Sequence, residues 1–495
     1  MLKKLYYLYT SLILLYLVFP NITAGQEVNY DSIKNVLLQS DKQQKPAIHN
    51  YLAREYYNEN KIQYSLTHAQ KALTLAKETK NHEQAAKAYN RIGFIYREEK
   101  DYLSSLKNHK NAIEFAKKVN SRKEILKACN SMEIIYYYLE NYDKFKEYSE
   151  KTLLLSRELE NLEMEATALQ HLGLYYYRKG CYKKALDYWS QQLGILKKTG
   201  DKEDLATLYN NMGVIYKNWG KYEKAIENYQ NTLKIQEHRQ DTLGMARSVS
   251  NIGNVYFYFE VDIDKALDYY KRGYKLFKSI HDTTNMANLL NSIGIIYQKQ
   301  KQYPKALENF KLALDHAKKI NNKTTIAKSQ TNMGAIYLEN KQYSLAKKYI
   351  FNALQTFKEL KDKKEIALSQ MQIGQIYMKT EEYPKALSYF KEALKLLKEM
   401  DIPKELLDTY KQLSELYAKI GNNNKALDYY KNYSQLKDST LKDKYLETIE
   451  EQRTKYQTEK KEERIKYLNE KNKRQEAENK RQRVLIYSAM GGLML

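Results

Sequence analysis

Cysteine, proline and tryptophan are scarce in this chain of 495 residues: there are 2 Cys, 5 Pro, 2 Trp and only 17 Gly. Cys129 and Cys181 lie far apart with no CxxC or Cys/His cluster, which excludes a zinc site of ordinary spacing and a disulfide framework. Both are expected to pack as small apolar residues between helices. So few helix breakers beside 29% charged residues predict an all-α chain. Catalytic motifs are missing as well. There is no HExxH, GxSxG, P-loop or glycine-rich nucleotide loop, and the 8 His are scattered along the chain. The sequence therefore predicts no catalytic residue, no metal site and no cofactor.

What is abundant is positive charge and tyrosine. The formal net charge is +23, with 83 Lys+Arg against 60 Asp+Glu. The excess is spread along the chain without a groove-reading motif, which argues for a Lys-rich surface and against nucleic acid as partner. The 48 Tyr suit shallow cores between stacked helices, where a ring is buried and its hydroxyl reaches water.

The opening "MLKKLYYLYTSLILLYLVFPNITAGQ" has the three parts of a secretory signal, with Lys3 and Lys4, an apolar run from Leu5 to Phe19, and small residues after Pro20. Residues 1–25 are expected to be a signal peptide, with an uncleaved anchor as the alternative. The chain is then exported, and its two distant cysteines suit an oxidising compartment.

Residues 26–438 repeat themselves. "NRIGFIYREEKDYLSSL", "NNMGVIYKNWGKYEKAI" and "NSIGIIYQKQKQYPKAL" align on Gly93, Gly213 and Gly294. Gly173, Gly253, Gly334 and Gly374 fall in the same register, and Ala53, Glu133 and Ser414 fill the other steps. The period is 40, with one step of 41 between Gly253 and Gly294. Apolar residues at i, i+3, i+4 spacing, such as Met212, Ile215 and Tyr216, predict an amphipathic first helix in each unit. A second helix follows a short turn, and Pro304 and Pro384 sit in its first turn, where a missing N–H is harmless. Ala185, Ala225, Ala306 and Ala386 permit close helix approach, and Tyr229, Phe310, Phe390 and Tyr430 fill the gap beside them. No unit can bury its own apolar face, so the array must stack.

This pattern of small residue, tyrosine, alanine and aromatic resembles the tetratricopeptide repeat family. About ten repeats would form an all-α solenoid over 26–438. A period of 40 instead of thirty-four, and polar connectors such as "TGDKEDLA", "IHDTTNMA" and "LKDKKEIA" in place of a closing proline, resemble the long-repeat subgroup of kinesin light chains and bacterial peptide-sensing regulators. That resemblance implies longer helices with an extended link, a looser repeat around Glu133, and a concave groove for a protein or extended peptide. It also implies that asparagines just before the glycine hold the ligand main chain, since an amide offers both donor and acceptor. Here these are Asn211, Asn251 and Asn332, two residues before the glycine, with Asn90, Asn210 and Asn291 three before and Asn130 at the matching place ahead of Glu133. Neighbouring helices or water are the competing partners for these amides. His171 shares the first position, with packing as its competing role.

Residues 439–483 read as a charged helical stalk with i, i+4 pairs such as Glu451 with Lys455, and its sparse apolar residues predict a dimeric coiled coil. The last stretch, 484–495, is apolar but shorter than the roughly 20 residues a membrane span needs. Together these parts resemble the exported sensor half of bacterial membrane signalling proteins, whose output is a histidine kinase or a helix-turn-helix module. The expected location is the periplasmic side, anchored to the membrane at the C-terminus. A soluble periplasmic scaffold and a fragment of a sensor histidine kinase are the alternatives.

Overall fold

The computed structural model describes residues 30–400 and 402–439. Among them every regular element is an α-helix. After Tyr30–Gln39 and Lys45–Asn58, helices of 17 or 18 residues follow one another from Ile62–Glu78 to Pro403–Lys419, and residues 423–439 are helical. The expected signal peptide, charged stalk and apolar end lie outside the described residues.

The chain divides into two compact units, Met1–Tyr269 and Tyr270–Leu495. In each, first and second helices alternate. Within the first unit, for instance, His82–Glu98 packs on Tyr102–Lys118 and Leu162–Arg178 on Tyr182–Thr199. In the second, Thr283–Lys299 packs on Tyr303–Lys319 and Lys363–Lys379 on Tyr383–Met400. This is the helical-hairpin solenoid the period predicts.

The turns are shorter than the sequence suggests. Most helices end on a residue of positive φ, and these recur every twenty residues: Lys100 (63°), Asn120 (53°), Glu140 (55°), Lys341 (57°) and Lys361 (57°) are examples. Among the described residues only four such positions carry glycine, Gly180, Gly200, Gly220 and Gly421. The left-handed residue reverses the chain and lets the next amide reach back into the finished helix, as Asp101 N does to Tyr96 O at 2.9 Å. The expected extended link is therefore corrected. "TGDKEDLA", "IHDTTNMA" and "LKDKKEIA" are mostly the start of the next helix, capped by Asp201, Asp282 and Asp362, whose carboxylates accept first-turn amides at 3.0, 3.0 and 3.2 Å.

Packing explains the repeat signature. A Cβ on Gly374 would meet the Phe390 ring at 2.8 Å, and one on Gly213 would meet Tyr229 at 2.7 Å. At two repeats where the first helix carries something larger, the residue sixteen later is small: Ala53 is matched by Ala69 and Glu133 by Ser149, all fully buried. Ala185, Ala225, Ala306 and Ala386 are buried as expected, as are Tyr229, Phe310 and Phe390, whereas Tyr430 is 57% exposed and fills no gap among the described residues. Tyrosines pair between the two helices of a repeat. Tyr176 stacks on Tyr188 and Tyr377 on Tyr389, at centroid distances of 5.5 and 5.7 Å, with Lys184 and Lys385 over the first ring of each pair.

The expected membrane-anchored, exported location is corrected. Among the described residues no helix is long and apolar enough to cross a membrane. The helices are amphipathic, and the apolar stripe of each is spent against its neighbours, as in the core of Met371, Ile373, Ile376, Phe390 and Leu394.

Candidate functional site

The first unit contains a pocket of about 770 Å³, built from four successive first helices. Its lining follows the repeat: Ala47, Lys87 and Lys127 occupy one phase, Asn50, Asn90 and Asn130 the next, and Gln84, Glu124 and Met164 a third. Stacking equal helices in equal register brings equivalent positions side by side, so residues 40 apart become a surface.

The pocket is basic. Arg54, Lys87, Arg91, Arg97 and Lys127 line it, against the single carboxylate of Glu124. Glu124 is buried and used internally: it accepts from Asn90 Nδ2 at 2.9 Å and from Lys127 Nζ at 2.8 Å. Four of the five cations thus pair with carboxylates: Lys127 with Glu124, Lys87 with Glu83, Arg54 with Glu55 and Arg97 with Glu98. Among the described residues no carboxylate bonds to Arg91. Its guanidinium instead lies 5.7 Å from the ring centres of both Tyr57 and Phe94. Burial, and then the nearby Arg54, hold Arg91 below the ordinary arginine range.

The asparagines singled out from the sequence divide by position. Three residues before the glycine, the amide faces the next helix. Asn90 donates to the backbone and carboxylate oxygens of Glu124, both at 2.9 Å, and its Oδ1 accepts from His109 Nδ1 at 3.1 Å. Asn291 is buried and bonds Ser329 at 3.0 Å. Asn210 accepts from Asn251 at 3.2 Å, which ties Asn251 to the preceding repeat. Asn130 lines the pocket with its Oδ1 buried and unpartnered. Asn211 and Asn332 are half-buried, and among the described residues neither side chain forms a hydrogen bond.

His171 packs: its Nδ1 is 3.2 Å from Glu133 Oε1 and its ring 5.5 Å from Phe145. Both Glu133 oxygens are buried without a hydrogen bond, so the repeat that departs from glycine has a polar fault in its core. Cys129 is buried and its thiol is pushed up to about 11, chiefly by desolvation. Cys181 is exposed at a helix N-cap, which corrects the expectation that it packs between helices. Among the described residues no group of three or more His, Cys, Asp or Glu could hold a metal.

Sequence reasoning missed Arg91 and Asn50. The signal was present: Arg91 stands two before Gly93, in the slot of Asn211 and Asn332, and Asn50 stands three before Ala53. Asn50 Oδ1 is also buried without a partner.

Comparison with known proteins agrees with this architecture. The tetratricopeptide repeat family matches residues 164–238, 204–279, 241–319, 285–359, 325–399 and 365–438. No curated protein matches the chain. Among solved structures, the chain is similar to a Signal Transduction ATPase with Numerous Domains protein with a tetratricopeptide repeat sensor from Pyrococcus horikoshii, at 16% identity and a TM-score of 0.52, covering 85% of this chain and 67% of that one. It is similar to aspartyl phosphate phosphatase F from Bacillus subtilis, at 14% identity and a TM-score of 0.51, covering 71% and 93%. The quorum sensor NprR from B. thuringiensis, in its apo form, aligns at 17% identity and a TM-score of 0.48, covering 68% and 97%. The first two of these likenesses describe the fold. With its matched segments spanning more than half of its length, the chain belongs to the tetratricopeptide repeat family.

Proposed function

We propose that this protein is a binding module without chemistry of its own, which holds an extended peptide or protein segment against the first-helix faces of its repeats. The observation that carries this reading is the pocket of the first unit, where in-phase residues of four successive first helices converge on one cavity. A repeating surface of this kind suits a partner that itself repeats, and a peptide main chain presents one donor and one acceptor per residue. Asn211 and Asn332 support the reading, since each has donor and acceptor capacity that no described residue uses.

The test is selection of a displayed random dodecapeptide library on the immobilised protein. Peptides should be enriched reproducibly, and Asn130→Ala, within the pocket, should weaken their capture about tenfold, the equivalent of one good polar contact. A library that shows no enrichment on the intact chain removes the reading. Enrichment that survives this substitution unchanged removes Asn130 from the contact surface.

A further inference from the structure

Resting on the peptide-binding reading, we infer that the pocket of the first unit selects an acidic peptide, with the guanidinium of Arg91 as the anchor for one of its carboxylates. Five cationic side chains line the pocket, and four of them already have a carboxylate: Lys127 has Glu124, Lys87 has Glu83, Arg54 has Glu55 and Arg97 has Glu98. The fifth, Arg91, is the cation left to meet an incoming anion.

Arg91 differs from its neighbours. Arg54, Arg97 and Lys87 each have a carboxylate partner on their own helix, whereas Arg91 has none among the described residues. Tyr57 and Phe94 flank it and limit its motion. A guanidinium held by rings has lost its rotamer freedom in advance, so little entropy remains to be lost when its planar fork meets a carboxylate.

The pocket also favours a peptide over a nucleic acid strand. The rings that could stack on bases are already engaged: Phe94 has Arg97 at 4.6 Å and Arg91 on it, and Tyr51 has Arg54 at 5.0 Å. The amides of Asn50 and Asn130 line this pocket. A peptide backbone offers such amides both a donor and an acceptor at every residue, whereas a phosphodiester backbone offers no donor.

The carboxylate could come from an Asp or Glu side chain or from the peptide's own C-terminus. Two dodecapeptide libraries separate these sources, one displayed with free C-termini and one with the C-terminus fused to the carrier. On the wild-type chain, enriched pools should be rich in Asp and Glu at a fixed position if side chains are read. They should appear only from the free-terminus library if the terminus is read. Arg91→Gln should reduce capture of the selected pool at least tenfold and Arg91→Lys should restore part of it, while circular dichroism melting curves stay superimposable. Enrichment of neutral or basic peptides, or full capture by Arg91→Gln, overturns the acidic assignment and leaves the peptide-binding reading standing. Absence of any enriched peptide overturns both. Tight binding of a single-stranded oligothymidylate probe that displaces the selected peptides and is lost in Arg91→Gln would assign the pocket to nucleic acid instead.

Discussion

His109 lies so close to Gly93 that a Cβ on the glycine would stand 2.8 Å from its Nε2, and the same ring donates from Nδ1 to Asn90 at 3.1 Å. One contact sets the distance between the two helices of a repeat and also orients an amide beneath the basic pocket. The small residue of the first helix and the large residue sixteen later are thus one structural unit, and at Ala53 with Ala69 and Glu133 with Ser149 their sizes trade against each other.

That coupling is measurable at Gly374 and Phe390, where the corresponding approach is 2.8 Å. Gly374→Ala should destabilise the protein by about 1–3 kcal/mol through overpacking. Phe390→Ala should cost about 3–5 kcal/mol through the cavity it leaves. In the double variant the new methyl occupies part of that cavity, so the combined loss should be smaller than the sum. Strict additivity in urea denaturation would show that the two residues do not share the space between the helices.

The turns offer a gain in stability. Lys341 adopts φ 57°, a conformation that a side chain with Cβ strains and glycine does not. Lys341→Gly should raise the urea midpoint by the equivalent of about 0.5–1 kcal/mol, less than the full relief of strain because glycine also widens the unfolded ensemble. The same substitution at Lys347, inside the helix Tyr343–Glu359, should lower it by about 1 kcal/mol. A loss at both positions would contradict the left-handed turn.

Acid should weaken the first unit through its buried histidines. Burial lowers His109 from 6.5 to about 3, and burial, then His68, lowers His49 to about 4. Their folded pKa values lie below the unfolded ones, so the unfolded chain takes up protons first as pH falls. Stability is therefore full above about 6.5 and declines as pH drops toward 4 and then 3. Comparing urea midpoints at pH 7 and pH 5 should show this decline, and His109→Phe, which places at this site the residue found at Phe310, should reduce it. An equal decline in the variant would remove His109 as a source.

The fold was legible because the repeat writes each structural requirement many times. One glycine proves little, but seven in a register of forty, each followed by tyrosine, impose a hairpin on every unit. The turns were less legible. Lys100, Glu140 and Lys341 share a left-handed conformation that their side chains do not advertise, and only Gly180, Gly200, Gly220 and Gly421 signal it. The aspartates of the polar connectors were visible and were read as loop, although Asp201, Asp282 and Asp362 cap the helices that follow.

The candidate site was half legible. The asparagines before the glycine were visible as a recurring feature of the first helix, yet one step along a helix turns a side chain by about 100°. That rotation sends Asn90 and Asn291 into the next helix and leaves Asn211 and Asn332 half-buried. Composition could not single out Arg91 among 83 Lys and Arg, because its distinction is the lack of a carboxylate and the presence of two rings, and both depend on neighbours in space.

By itself, the sequence determined the helices, their pairing and the stacking of repeats, since these follow from local periodicity and from apolar faces that one hairpin cannot cover. The tertiary structure alone decided which polar groups remain available to a partner. Residues 40 apart meet only after the helices have stacked, and whether an amide or a guanidinium is satisfied depends on what the neighbouring repeat brings within hydrogen-bonding distance.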